Sequence, residues 1–263
     1  MQEKVQSIEL LQIHSYVLVN GFFIKKGRGF IMSSLFTDRL WEKVGPIWNS
    51  YLEHPFVKGL GEGWLDQEKF KHWMKQDYVY LIEYSRLFAL GSAKSQDLKT
   101  MTLFAGLLHG TLDMEMDLHR EYAKKFNISN EELEATEEGA TTTAYTSYML
   151  NVSQQGGVEN VIASVLACAW SYNFIGKNLA EWEGALEHEF YGHWVKMYAS
   201  TEFTELANTC KDLMNEITSG KPEHELASLE DIVVKTSYFE YMFWDMAERK
   251  ETWPIKLLKS STL

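Results

Sequence analysis

Asp77, Cys168 and Glu240 are the residues whose chemistry stands out in the sequence. A thiol is a nucleophile once deprotonated, and a carboxyl can move protons or pair with the polar edge of a ring. Each lies in an aromatic setting. Asp77 shares a helical face with Trp73, Tyr80, Leu81 and Tyr84. Glu240 lies in Ser237-Tyr238-Phe239-Glu240-Tyr241-Met242-Phe243-Trp244, with Phe243 and Trp244 three and four residues on. Cys168 opens Cys168-Ala169-Trp170-Ser171-Tyr172, and Tyr172, four residues on, falls on the face of the thiol. A carboxylate buried among rings needs a strong partner or takes up a proton. Each residue also has a plain packing role open to it: an interhelical ion pair for Asp77 and Glu240, a small buried hydrophobe for Cys168. Together they describe a thiol, two carboxyls and several tyrosines in one interior. Such an interior can hold a flat polar ring by stacking and edge hydrogen bonds.

Two further sets bear on metals. Glu115 and His119 are four apart, as ligands on one helix face would be, or as a charged pair on a solvated or interhelical surface would be. His188 and His193 are five apart and share a face less well. Cys210, amid Leu206, Leu213 and Ile217, reads as core or interface filler.

These residues need long helices to position them. Only four prolines interrupt 263 residues, and no convincing alternating strand occurs. Ser33 or Ser34 can cap a first helix, which Gly45-Pro46 is expected to kink. His54-Pro55 through Gly63 reads as the main loop of the front half. Asp66 caps a long helix carrying Asp77, and Asp97 starts another that runs to about Phe126. Ser129 to Glu132 has capping-box spacing. Further helices are expected over about 142–154, 158–181, 187–198, 202–217 and 229–249, with Ser228 and Asp231 resembling a second capping box. The helix through Cys168 is apolar nearly all round and must be buried. The expectation is one all-α domain over residues 32–263.

Composition narrows the partners. Thirty-seven acidic residues against 25 basic ones give a net charge of −12, with no electrostatic reason to seek nucleic acid and no polybasic stripe for a membrane surface. No uninterrupted run of about 18 apolar residues suggests a membrane span. Two cysteines cannot build a disulfide framework, which points to a reducing, cytoplasmic setting. Lys4, Lys25, Lys26 and Arg28 outnumber Glu3 and Glu9, so residues 1–31 carry +2 and the remainder −14. This first segment does not share the pattern that follows. It reads as an N-terminal extension ahead of a more regular start at Met32.

His54-Pro55-Phe56-Val57, Gln76-Asp77-Tyr78-Val79-Tyr80, Ala144-Tyr145-Thr146-Ser147-Tyr148-Met149, Cys168-Ala169-Trp170-Ser171-Tyr172 and the segment Ser237–Trp244 occur in the order and spacing of the TenA (thiaminase II) family. The resemblance runs from about Met32 to Trp253. It implies the all-α haem-oxygenase-like fold, a homotetramer and no metal or organic cofactor. It also implies aminopyrimidine aminohydrolase activity: conversion of 4-amino-5-aminomethyl-2-methylpyrimidine to the hydroxymethyl pyrimidine, and hydrolysis of thiamin to that pyrimidine plus the thiazole alcohol. Carried over by position, Cys168 resembles the nucleophile and Glu240 the proton donor. Asp77, Tyr172 and Tyr198 resemble substrate contacts, Tyr80 the support of the thiol, and Tyr145 a further pocket wall. Cys168 places the chain with the cysteine-bearing branch. Two other readings stand beside this one: a haem or di-iron oxygenase-like protein using Glu115 and His119, and a pyrimidine-binding protein without turnover. One chemical difficulty is visible in advance, because two nearby carboxylates would raise the pKa of the Cys168 thiol.

Overall fold

The computed structural model describes residues 35–255, and the reading of residues 1–31 as an extension lies outside them. Among the described residues every regular element is helical. Helix α1 (Phe36–Glu53) leads into α2 (Pro55–Glu62) and the long α3 (Gln67–Lys94). Helix α4 (Leu98–His109) passes through a π-helical turn (Gly110–Glu115) into α5 (Met116–Lys125). Then come α6 (Asn130–Glu134), α7 (Ala140–Gln155), α8 (Val158–Ala180), α9 (Gly192–Ala199), α10 (Thr201–Thr218) and α11 (Glu223–Arg249). The all-α expectation holds.

Several boundaries differ from the sequence reading, each for a local reason. Ser33 and Ser34 lie outside the described residues. At the start of α1 the Asp38 carboxylate accepts from the Leu35 N–H at 3.0 Å. Pro46 sits inside α1 without dividing it. The glycine-bearing segment after His54 is not a loop but α2. Pro55 occupies its first turn, His54 Nδ1 accepts from the Phe56 N–H, and Phe56, Val57 and Leu60 are buried. Gly63, at φ +80°, then turns the chain out of the helix in a conformation that suits glycine. Helix α9 begins five residues later than the periodicity suggests, because His188 Nδ1 accepts from the N–H groups of Phe190 and Tyr191 and holds that stretch as a turn. Helix α11 begins six residues earlier than expected. Ser228 is therefore interior to it, while Glu223 and Glu225 favour the positive end of the helix dipole. The caps at Asp66, Asp97 and Ser129 form as read, each side chain accepting from a backbone N–H two or three residues on.

Helix α8 runs through the middle of the bundle, against α1, α3, α7, α9, α10 and α11. By length and composition it would suffice to cross a membrane, yet 67% of its most apolar window is buried among the other helices. Interhelical hydrogen bonds set its neighbours in register. The Tyr84 hydroxyl donates to the Val165 carbonyl at 2.9 Å, tying α3 to α8 one turn before Cys168. Trp48 Nε1 donates to Ser237 Oγ at 2.9 Å, tying α1 to α11 one turn before Glu240. Gln76 accepts from the Gly139 N–H and the Thr142 hydroxyl, fixing the start of α7 beside Asp77.

Candidate active site

Asp77, Tyr80, Leu81, Tyr84 and Phe88 recur at helical spacing down one side of α3 and form one wall of a cavity. Cys168, Ala169 and Tyr172 of α8 face them. Tyr198 of α9 and Phe203 and Leu206 of α10 close a third side; Leu107, Thr111 and Glu115, from α4 and the π-helical turn, close a fourth. Five of the residues singled out in the sequence thus share one cavity: Asp77, Tyr80, Cys168, Tyr172 and Tyr198. The Tyr172 and Tyr198 rings lie 4.8 Å apart between centroids, inclined at 60°. Flat apolar surface with a few polar groups converging on it suits a small heteroaromatic ring.

Glu240 and Tyr145 stand behind this surface rather than on it. Glu240 is 1% exposed, and its Oε1 accepts from the Tyr145 hydroxyl at 2.7 Å. Tyr145 is therefore not the pocket wall the resemblance suggested, since its hydroxyl reaches the site through Glu240. Its ring packs against Tyr80 on one side and is stacked on Phe239.

Burial dominates the electrostatics. It pushes the Cys168 thiol well above its ordinary pKa, and the charge of Glu240 adds to this; the nearby Tyr80 hydroxyl, which donates to Met149 Sδ at 3.8 Å, works the other way. Burial also pushes Glu240 up to about 8, against the stabilising hydrogen bond from Tyr145 and with help from the charge of Asp77. Glu115 is raised to about 7 by burial, moderated by the nearby His119. The thiol is raised as foreseen, with burial rather than the neighbouring carboxylates as the first cause.

Of the two surfaces open to Glu115 and His119, solvated or interhelical, His119 takes the interhelical one. His119 Nε2 lies 2.6 Å from Asp77 Oδ2, with side-chain exposures of 5% and 6%. Its Nδ1 lies 3.0 Å from the backbone carbonyl of Glu115, while the Glu115 side chain faces the cavity. The sequence offered only the four-residue spacing, which cannot tell a solvated pair from a buried link to a third helix. Among the described residues no group of three or more His, Cys, Asp or Glu side chains is arranged to hold a metal ion. His188 caps the turn before α9 and stacks on Tyr191, and His193 packs edge-on to Tyr122. Cys210 is buried core, its thiol pushed up to about 12. Phe88, Leu107, Thr111, Phe203 and Leu206 were not picked out as site residues; only their helical spacing marked them, and that marks packing equally well.

The described residues form a helical bundle with an aromatic cavity, a thiol on its wall and a carboxyl behind the thiol. Residues 41–250 match the TENA/THI-4/PQQC family, and the chain belongs to that family. It is 54% identical over 218 residues to the aminopyrimidine aminohydrolase of Halalkalibacterium halodurans, covering 83% of this chain and 97% of that one. A solved TenA homologue from P. horikoshii OT3 superposes with a TM-score of 0.76 at 28% identity, over 82% of this chain and 99% of that one. A solved domain from Shewanella denitrificans, described as having a heme oxygenase-like fold, superposes with a TM-score of 0.68 over 81% of this chain and 92% of that one. At 15% identity it speaks for the fold alone.

Proposed function

We propose that this chain is an aminopyrimidine aminohydrolase of the cysteine-bearing branch, with Cys168 as nucleophile and Glu240 as its acid–base partner. The observation that carries the assignment of roles is the position of Cys168 on the cavity wall it shares with Asp77, with the buried Glu240 close enough behind it for each to shift the other's proton affinity. The aminopyrimidine ring stacks against Tyr172 and Tyr198. Asp77 pairs with a protonated ring nitrogen and the exocyclic amine, which makes the ring carbon electrophilic. Glu240, when ionised, takes the thiol proton, and the thiolate adds to that carbon to form a C–S bond. The electron pair displaced into the ring then expels the substituent on the exocyclic carbon. Glu240 returns the proton to the leaving amine. Water adds to the exposed exocyclic carbon and gives a proton to Glu240; the C–S bond breaks with its electron pair on sulfur, the thiolate recovers that proton, and the hydroxymethyl pyrimidine leaves. Tyr80 supports the thiolate by hydrogen bonding, and Tyr145 holds Glu240 in place.

The same proposal includes a homotetramer and a reducing, cytoplasmic setting that keeps the nucleophilic thiol free. Exposed Leu98, Met101, Leu112 and Tyr238 supply apolar surface for subunit contacts, and light scattering after size exclusion tests it. The test of the function is incubation of the purified protein with the aminomethyl pyrimidine and with thiamin, the hydroxymethyl product being read by chromatography. Cys168→Ser should fold normally and lose most of the activity, and iodoacetamide should inactivate the native protein unless the pyrimidine product is bound. Near-native turnover in Cys168→Ser would refute covalent catalysis here.

A further inference from the structure

His119 is a buried ionisable group to which the reaction just described gives no part. Both of its ring nitrogens face acceptors. Nδ1 meets the Glu115 backbone carbonyl at 3.0 Å, which can only accept, so Nδ1 carries a proton. Nε2 meets Asp77 Oδ2 at 2.6 Å, a contact that favours a second proton on the ring. The π-helical turn is what brings this about: Thr111 and Glu115 at its ends line the cavity, and one turn later His119 is delivered to α3.

We propose that His119 is a positioning residue for the pyrimidine: held between Asp77 Oδ2 and the Glu115 carbonyl, it fixes the Asp77 carboxyl and leaves Oδ1 turned to the ring edge. This rests on the reading of Asp77 as a substrate contact. The need for a cation follows from what surrounds Asp77. Glu115 approaches from the π-helical turn, Glu240 from α11, Cys168 and Tyr172 from α8, and Tyr198 from α9. Two of these are carboxyls and none is cationic, so His119 supplies the charge-assisted hydrogen bond to the Asp77 carboxyl. Burial alone would neutralise the imidazole, but the hydrogen bond and charge of Asp77, with the charge of Glu115, outweigh burial and raise its pKa.

The experiment is calorimetric titration with the hydroxymethyl pyrimidine product between pH 5.5 and 8.5. The proteins compared are the native chain, His119→Leu, His119→Gln, Asp77→Asn and the double variant Asp77→Asn/His119→Leu. His119→Leu should bind roughly ten- to a hundredfold more weakly at pH 7, the range expected when a charge-assisted hydrogen bond is lost. In the native chain affinity should fall as the His119 ring loses its proton toward alkaline pH, and His119→Leu should lack that fall. His119→Gln keeps a neutral donor and should bind more tightly than His119→Leu, also without that fall. The double variant should bind no more weakly than Asp77→Asn. Native-like binding by His119→Leu, or a loss that adds in full to that of Asp77→Asn with the alkaline fall retained, would overturn the role of His119 while leaving Asp77 a substrate contact. Native-like binding by Asp77→Asn would refute both. Nitrogen-15 spectra of the native protein need no variant to fold: both His119 nitrogens should be protonated at pH 7, and a neutral ring would overturn the proposal.

Discussion

Tyr145→Phe isolates one hydrogen bond and should change the pH dependence of the reaction more than its maximum. In the reacting form Cys168 and Glu240 hold a single proton between them, wherever it sits, because the thiol must be able to give one up and the leaving group must receive one. That form is reached when the pair loses its first proton, and Glu240, pushed up to about 8, sets the midpoint. In the native protein kcat/KM should therefore rise with pH through about 8, with only about a tenth of the protein in the reacting form at pH 7. The Tyr145 hydroxyl donates to Glu240 Oε1 at 2.7 Å and favours the ionised carboxylate. Losing a hydrogen bond to a charged group costs about 1.5–3 kcal/mol, or roughly 1–2 pH units. The sign is upward: without the donor the carboxylate is less stable and the midpoint moves to roughly 9–10. At pH 7 the variant should lose roughly ten- to a hundredfold in kcat/KM and regain most of it above pH 9.5. Phe fills the same space, so packing with Tyr80 and Phe239 is retained. The assay is initial-rate release of hydroxymethyl pyrimidine from pH 6 to 10. A uniform drop with an unmoved midpoint, or a midpoint that moves down, would refute the reasoning.

Gly176→Ala should couple stability to substrate binding, because an added Cβ would stand 2.6 Å from the Tyr198 carbonyl carbon and 2.7 Å from the Ala199 nitrogen. A cost of about 1–3 kcal/mol and weaker product binding through the displaced Tyr198 are expected, read by thermal melts and calorimetry. Activity should survive EDTA, since both His119 nitrogens are engaged with Asp77 and Glu115 and leave no lone pair for a metal; stoichiometric iron lost on changing Glu115 or His119 would contradict this. Glu240→Gln should be nearly inactive yet gain stability relative to the native protein as pH rises. The folded-state pKa of about 8 stands above the ordinary 4.5, so the proton-linked stability of Glu240 is full below about 4.5 and lost as pH rises through 8. Gln has no such proton to lose. The difference, followed by urea unfolding at pH 5, 7 and 9, should grow to a few kcal/mol in order of magnitude.

The sequence by itself determined the helical class and which candidate site residues share a helix face. Helical periodicity set Asp77 and Tyr80 on one face and Cys168 and Tyr172 on another, and local caps at Asp66, Asp97 and Ser129 marked three helix starts. These are short-range properties: side chains three or four apart meet whatever the rest of the chain does. Only the tertiary structure decided how the helices meet. It made α2 a helix, since burial of Phe56, Val57 and Leu60 outweighs the poor propensity of the glycines between them. It set Tyr145 behind Glu240 rather than on the cavity wall, a relation between α7 and α11 that spans 95 residues. It joined His119 to Asp77 across 42 residues, placing His119 in a buried contact between helices that its spacing from Glu115 could not tell from a solvated one. Spacing along a helix says which side chains share a face. Which third helix that face meets depends on the packing of the whole bundle, and there burial and the low local dielectric decide which of these groups are charged.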